Sequence, residues 1–540
     1  MQENSHHDSR QPGRAALGGV LIGGALTAFV VLAAAAPRVA GLLVSSAAVA
    51  VPATLLAMAF GTPIALLIAK TDVPGRRTAL VLVGTLLLLP LYVIASAWMA
   101  ALGDQGGAPA LLTGDGPAGG WLVGYSGAIF LHAVVATPWA TLLAVAALRS
   151  VDPRLEEAAL LDASARRVLG TVTLRGAAPA LAAAGVLLAV LAAAEMTMTD
   201  LLQVRTFAEE VYTQAAAGEL LDPTASGTWR LAVGVLTLGL VAAAATLTLV
   251  RRLRPSGMAP SRHPWRLALA RPRVAAACLA IMVGLLTLLP VVALAYRAGG
   301  IVVPQETGPT RSWSLTKLVT SVGSAPWQHR RELIASTGLA LTVATTATFA
   351  AAAIAWSLRG RRLAGDLGGV GLAMLLAVPG PVIGLVVIRL LNQPLDSPMA
   401  LLGDLYGTWF APWFAQMVRI TPAIALLLWP AALAVPAEWI DAARIDGAGS
   451  FARWRWVAAP SMAPALGAAW LAAFALSLGE LSATVLVVPP GTPPLSVRML
   501  SLLHYGVEDR VAALGLVLVL GYLVIAAAVG RLLPLGRRAG

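Results

Sequence analysis

Residues 441–460 read DAARIDGAGSFARWRWVAAP and lie between two long apolar runs. Two acids, three arginines and two tryptophans share these twenty positions. The surrounding chain is 58% hydrophobic and only 12% charged. Its mean hydropathy is +0.80 over 540 residues. Water cannot solvate such a surface, so the composition implies a polytopic membrane protein and makes this stretch a polar island between spans. Pro436 ends the preceding helix or starts a short new one. The acid Asp441 is then expected in a first helical turn, where it favours the dipole. Ala442 and Ala443 leave a helix surface without bulk, which another backbone can approach. Gly447-Ala448-Gly449 ends the short helix. Arg453, Trp454, Arg455 and Trp456 suit the membrane interface.

Working outward, apolar runs of spanning length lie near 15–36, 42–69, 78–101, 121–148, 177–198, 230–250, 273–296, 333–358, 363–391, 406–435, 461–482 and 512–534. The expected fold class is all-α integral membrane with twelve transmembrane helices. The second, ninth and tenth runs are expected to be kinked or partly outside the bilayer. The first run, preceded by Arg14, is read as a span and not as a cleaved signal.

The net charge of +12 rests on arginine, since Lys70 and Lys317 are the only lysines. The arginines gather at the ends of apolar runs, which sets topology and speaks against nucleic-acid binding. With the N-terminus inside, the inner loops hold Lys70, Arg76 and Arg77, then Arg149, Arg154, Arg166 and Arg167. They also hold the cluster from Arg251 to Arg273, then Arg359, Arg361 and Arg362, then Arg444, Arg453 and Arg455, and finally Arg531, Arg537 and Arg538. The outer loop at 102–120 has no basic residue. Both termini are therefore expected in the cytoplasm. Cys278 cannot form an intrachain disulfide, and the scattered histidines, with His6 and His7 in the polar N-terminal tail, form no metal pattern. A metal site is not assigned.

The chain repeats its plan. Gly75-Arg76-Arg77 recurs as Gly360-Arg361-Arg362, and Pro90 with Val93-Ile94 as Pro379 with Val382-Ile383. Thr137-Pro138 recurs as Thr421-Pro422, and Pro179-Ala180-Leu181 as Pro464-Ala465-Leu466; these last prolines are expected to open the fifth and eleventh helices. The ordered series implies duplication: a first six-helix half at 1–250, a basic, proline-rich cytoplasmic linker at 251–272, and a second half at 273–540. The island recurs as well. Residues 157–179 read EAALLDASARRVLGTVTLRGAAP, so Glu157, Ala158, Ala159, Asp162 and Ala163 align with Asp441, Ala442, Ala443, Asp446 and Gly447.

These paired loops, 157–179 and 441–464, resemble the E/D-A-A-x-x-x-G loop of ATP-binding cassette importer permeases of the type I, fused two-half form. Asp441 replaces the glutamate in the second copy, while Ala163 and Arg175 replace the glycine and the later proline in the first. The resemblance implies that each loop is a coupling helix seated in a cytoplasmic ATPase, present in two copies, with an extracytoplasmic solute-binding protein as a further partner. It implies a bacterial inner-membrane location. The chain is then a transport subunit, not an enzyme. Neither lysine fits G-x-x-x-x-G-K-[ST], so ATP and Mg belong to the partner and this chain binds no cofactor. Residues 478–506, LGELSATVLVVPPGTPPLSVRMLSLLHYG, resemble permeases of the ferric-iron type, which makes ferric iron the expected cargo; thiamine or another small solute is the alternative. A major-facilitator-like secondary transporter is the other reading, suggested by Asp72-Val73-Pro74-Gly75-Arg76-Arg77, but it leaves the duplicated loop unexplained.

Glu195 and Glu480 each lie 16 residues after Pro179 and Pro464, with Thr199 and Thr484 four residues further on. An acid in the outer half of the bilayer needs water or a partner. Two readings stay open. The acids and threonines line the translocation path, where oxygens suit a hard cation, or the acids cap a loop at the outer interface and pair with Arg205 or Arg498. Arg419, two residues before Thr421, is expected to snorkel to an interface.

Overall fold

The computed structural model describes residues 12–103, 122–219, 228–253, 266–305, 308–359, 362–393, 397–491, 493–505 and 508–532. His6, His7, residues 104–121 of the expected outer loop, residues 254–265 of the linker, Arg361, Arg537 and Arg538 lie outside them.

Helices dominate. In chain order they begin with α1 (Pro12–Ala35), α2 (Pro37–Lys70), α3 (Arg76–Leu88), α4 (Leu91–Leu102) and α5 (Gly124–Arg149). Next come α6 (Pro153–Asp162), α7 (Ala165–Val168), a π segment (Leu169–Leu174), α8 (Arg175–Ala193), α9 (Thr197–Leu201), α10 (Phe207–Ala216) and α11 (Thr228–Leu253). Then follow α12 (Pro272–Ala298), strands β1 (Gly300–Gln305) and β2 (Gly308–Trp313), α13 (Leu315–Gln328), α14 (Arg330–Ser357), α15 (Arg362–Leu376) and α16 (Gly380–Leu391). The chain closes with α17 (Phe410–Ala434), α18 (Ala437–Ile445), α19 (Ser450–Arg453), a π segment (Trp454–Ala458), α20 (Ala459–Gly479), α21 (Leu495–His504) and α22 (Glu508–Leu532). The antiparallel β1–β2 hairpin, with Gly300 opposite Trp313, is an exception to the all-α expectation.

Among the described residues, ten helices are long and apolar enough to cross a membrane, or up to twelve if each bent pair is one span. The protein is a multi-pass, helical membrane protein. The bent pairs are α3–α4, turned by 106°, and α15–α16, turned by 91°. Proline makes both bends. Leu89, ahead of Pro90, is extended at φ −62° and ψ 136°, as steric contact with a following proline ring requires. Pro379 and Pro381 contribute no N–H to a helical ladder. The break expected in the ninth run is thus present. The third run is broken too, whereas the second and tenth runs are single helices in spite of Pro52, Pro63, Pro422 and Pro430.

α2 and α5 lie side by side and parallel. Ser45 Oγ meets Tyr125 Oη at 2.5 Å, and Lys70 at the far end of α2 meets Glu156 just past the far end of α5. Between these points a Cβ on Gly61 would come within 2.9 Å of the Thr141 amide nitrogen, so the backbones touch. Small residues at such seams replace the hydrophobic driving force that lipid does not supply. α14 and α17 repeat the arrangement. Thr346 touches Trp413 and Met417, Arg359 reaches the Val435 carbonyl, and Ala344, Ala347, Ala351, Ala425 and Ala432 are buried along the seam.

Two expectations for the fifth and eleventh runs are corrected. Pro179 and Pro464 lie inside helices and do not open them: continuous helical backbone runs over Ala165–Ala193 and Ser450–Gly479. A π segment lies in the stretch ahead of each proline, Leu169–Leu174 and Trp454–Ala458. The helices end at Ala193 and Gly479, so Glu195 and Glu480 lie beyond the helix ends and not inside them.

Candidate functional site

The first island folds as α6. Asp152 caps it by accepting the Arg154 amide at 3.0 Å, and Pro153 occupies the first helical position, where no amide partner is lost. The second island folds as α18, entered through Pro436. Glu157 and Asp441 are each the fifth residue of their helix, so the first-turn acids are Glu156 and Glu438 instead. The two helices show the same faces. Glu157, Ala158 and Asp162 are exposed with Ala159 half-buried, and Asp441, Ala442 and Asp446 are exposed with Ala443 half-buried. Leu161 and Ile445 stand out at 86% and 85% exposure, a cost to a free surface that only a covering partner removes.

The helix ends differ, and the difference accounts for the sequence. Gly447 has φ +79°, and the Ala448 amide donates to the Ala443 carbonyl at 2.9 Å, closing a Schellman-type end. Ala163 is extended, with φ −142°, and needs no glycine. Beside α18, Trp439, Ala442, Ala443, Asp446, Trp456 and Pro460 border a shallow concavity of about 530 Å³. Arg455 lies over the Trp456 ring at 5.2 Å, and Trp456 is exposed.

The anchors also differ. Lys70 Nζ donates to both Glu156 oxygens at 2.6 and 2.7 Å, and Thr173 Oγ1 donates to Oε1 at 2.6 Å. Glu156 is only 1% exposed and Lys70 is buried, so this is a dry ion pair tying α6 to the end of α2. α18 is held instead by Arg359, which donates to the Val435 carbonyl and lies over Trp356 at 4.9 Å. Burial pushes the Arg359 pKa down, and the nearby Asp441 carboxylate pushes it back up. Sequence reasoning singled out Glu157 and passed over Glu156. The signal was there: Lys70 is one of two lysines and ends a span, where an inward partner is expected.

Past the ends of α8 and α20, each acid receives amides from the turn that follows. Glu195 accepts from Thr197 N at 2.5 Å and Met198 N at 3.0 Å, and lies 3.6 Å from His132 Nε2. His132 is buried on α5, with Nδ1 at 2.8 Å from the Ala128 carbonyl. Glu480 accepts from Ala483 N at 2.9 Å, Ser482 Oγ at 3.2 Å and Thr484 Oγ1. Gln416 on α17 donates to Thr484 Oγ1 at 3.0 Å and accepts from Ser477. Thr199 receives the Thr206 hydroxyl at 3.2 Å. His132 and Gln416 each precede their Thr-Pro pair by five residues, so both acid knots are built from the same elements. Neither residue was singled out from the sequence; a polar side chain at one position in both copies of an apolar run was the available sign. The arginines expected as partners lie elsewhere: Arg205 is 3.9 Å from Glu210, and Arg498 is 3.9 Å from Glu332. Among the described residues no group of three or more His, Cys, Asp or Glu could hold a metal ion.

No protein-family model matches the chain. A stretch of 142 residues, 25% of this chain, is 30% identical to the trehalose/maltose transport system permease protein MalF of Thermococcus litoralis. The chain spans about half the length of that relative, covering 48% of it.

Proposed function

We propose that the chain is the membrane permease of an ATP-binding cassette importer, built as two six-helix halves with a linker at 251–272. The observation that carries this reading is the pair α6 and α18. They follow parallel partners in the chain, present the same acid-alanine face, and each leaves a large aliphatic residue uncovered at its far end, Leu161 and Ile445. The similarity to a transport-system permease supports the class. The parallel seams support twelve crossings. If α2 and α5 run the same way, the chain between them must return across the membrane once, so α3–α4 counts as one span; α15–α16 counts likewise between α14 and α17.

In this mechanism two ATPase subunits grip α6 and α18 through Glu157, Ala158, Ala159, Asp162 and Ala163 and through Asp441, Ala442, Ala443, Asp446 and Gly447. ATP binding draws the subunits together, the short helices move with them, and the cavity between the halves opens to alternate sides. ATP and Mg are held by the partner, and an extracytoplasmic protein delivers the cargo. The chain sits in a bacterial inner membrane with both termini in the cytoplasm, as the inner arginines favour. Isolating the native complex tests the class: a co-purifying ATPase supports it, and uptake driven by an ion gradient with no ATPase present contradicts it.

Ferric iron is the cargo that residues 478–506 suggest, and Glu195, Thr199, Glu480 and Thr484 are the oxygen-bearing groups offered for its path. An organic solute is the second reading, favoured by the similarity to a trehalose/maltose permease. Titrating the co-purified binding protein with ferric iron, thiamine, a polyamine and the two disaccharides separates them.

A further inference from the structure

Arg419 is not at an interface. It is the tenth residue of α17, which places it about 14 Å from the start of that helix at 1.5 Å per residue, near the middle of a hydrocarbon core about 30 Å thick. A charge there needs partners or water. Its Nη1 donates to the carbonyls of Leu376 at 3.1 Å and Val378 at 2.8 Å. Both carbonyls belong to the break between α15 and α16. In an unbroken helix the Val382 amide would serve Val378; here it serves Pro379 at 3.0 Å. The guanidinium thus stands in for the ladder bonds that Gly380 and Val382 would make to these two carbonyls in an unbroken helix. Arg419 keeps partial exposure, while Ala415, Gln416 and Ile420 around it are buried. Val135 holds the corresponding place before Thr137. The α3–α4 break is closed differently: a Cβ on Gly479 would lie 3.1 Å from Pro90 Cγ, beside Glu480.

We propose that Arg419 is a positioning residue that latches the α15–α16 break, and that this break is the moving gate of the passage. The guanidinium bridges the two carbonyls while the gate is shut. Opening requires the bridge to part. The consequence for transport rests on the permease reading; the latch itself does not.

The test places a cysteine at Ala377, fully buried in the break, in a chain carrying Cys278→Ala. A water-soluble methanethiosulfonate reagent reports its accessibility in the native membrane complex, with and without a non-hydrolysable ATP analogue. With Arg419 present, labelling is slow without nucleotide and speeds up at least tenfold with it. In Arg419→Leu it is already fast and no longer depends on nucleotide. Arg419→Lys, which can still donate to both carbonyls, keeps the slow, nucleotide-dependent pattern, and Arg419→Gln serves if the leucine variant fails to insert. Basal labelling as slow in Arg419→Leu or Arg419→Gln as in the parent overturns the latch. Parent labelling that ignores nucleotide counts against the moving gate and the importer reading, while the basal comparison still decides the latch.

Discussion

Removing Lys70 should release α6 from the membrane domain. Lys70 Nζ bonds both oxygens of Glu156, and Thr173 bonds one of them, in a place where neither charge meets water. Deleting one partner of a dry ion pair leaves the other uncompensated, which costs about 3–5 kcal/mol. At about 1.4 kcal/mol per tenfold, Lys70→Met should raise the local opening equilibrium of α6 by roughly two to three and a half orders of magnitude. Hydrogen exchange of the purified protein in lipid nanodiscs reads this directly as lost protection over 154–162. Thr173→Val removes one hydrogen bond to a charged group, worth about 1.5–3 kcal/mol, and should cost one to two orders of magnitude by that scale. The double change Lys70→Met with Glu156→Leu should restore most of the protection, since apolar replacement of a buried pair is often neutral. α18, held by Arg359, should not respond to any of these. If Lys70→Met leaves α6 protected to within threefold of the parent, the ion pair is not what anchors the helix and the reasoning fails.

Gly447→Val forces a branched side chain into a left-handed conformation at a cost of about 1–2 kcal/mol, so exchange over 437–448 should accelerate about tenfold, whereas Ala163→Gly should change the end of α6 little. Gln416→Leu strands the Ser477 hydroxyl and leaves Thr484 bonded to Glu480 alone, a cost of about 1–3 kcal/mol, and should lower the melting temperature of the purified protein; an unchanged melting curve would show that the Glu480 knot does not need it. His329, between α13 and α14, has its pKa pushed down by burial, against the opposing pull of Glu332. The folded junction therefore favours the neutral ring, and its stability is full above about pH 6.5 and declines as pH falls below that unfolded value. Protection over 325–332, taken relative to the intrinsic exchange rate at each pH, should fall on acidification, and His329→Gln should remove the dependence.

The sequence disclosed the elements whose signal is local. Apolar runs located the helices because twenty residues without charge have few other uses, and Pro436, Pro153 and Gly447 marked the ends of the short helices through backbone geometry. What it did not disclose depends on contact between distant segments. Glu156 and Glu157 are neighbours in sequence, and only the approach of Lys70 from α2 makes the first a buried anchor and leaves the second exposed. Arg419 seemed destined for an interface because its partners, two carbonyls, carry no side-chain signature and exist only where prolines break α15 from α16. Pro179 reads from sequence as the opening of a helix because nothing there announces the helical backbone that continues back to Ala165. The acids at 195 and 480 were legible as a pair, but their partners His132 and Gln416 come from another helix.

The most direct test of the central claim is co-purification of the ATPase with handle variants. Glu157→Arg and Asp441→Arg together reverse the charge on both exposed faces while sparing Glu156, Lys70 and the membrane helices. Membrane insertion and the melting curve should match the parent, and the ATPase should be lost from the purified complex. Undiminished ATPase recovery with the double variant would contradict the assignment of α6 and α18 as the sites where the motor takes hold.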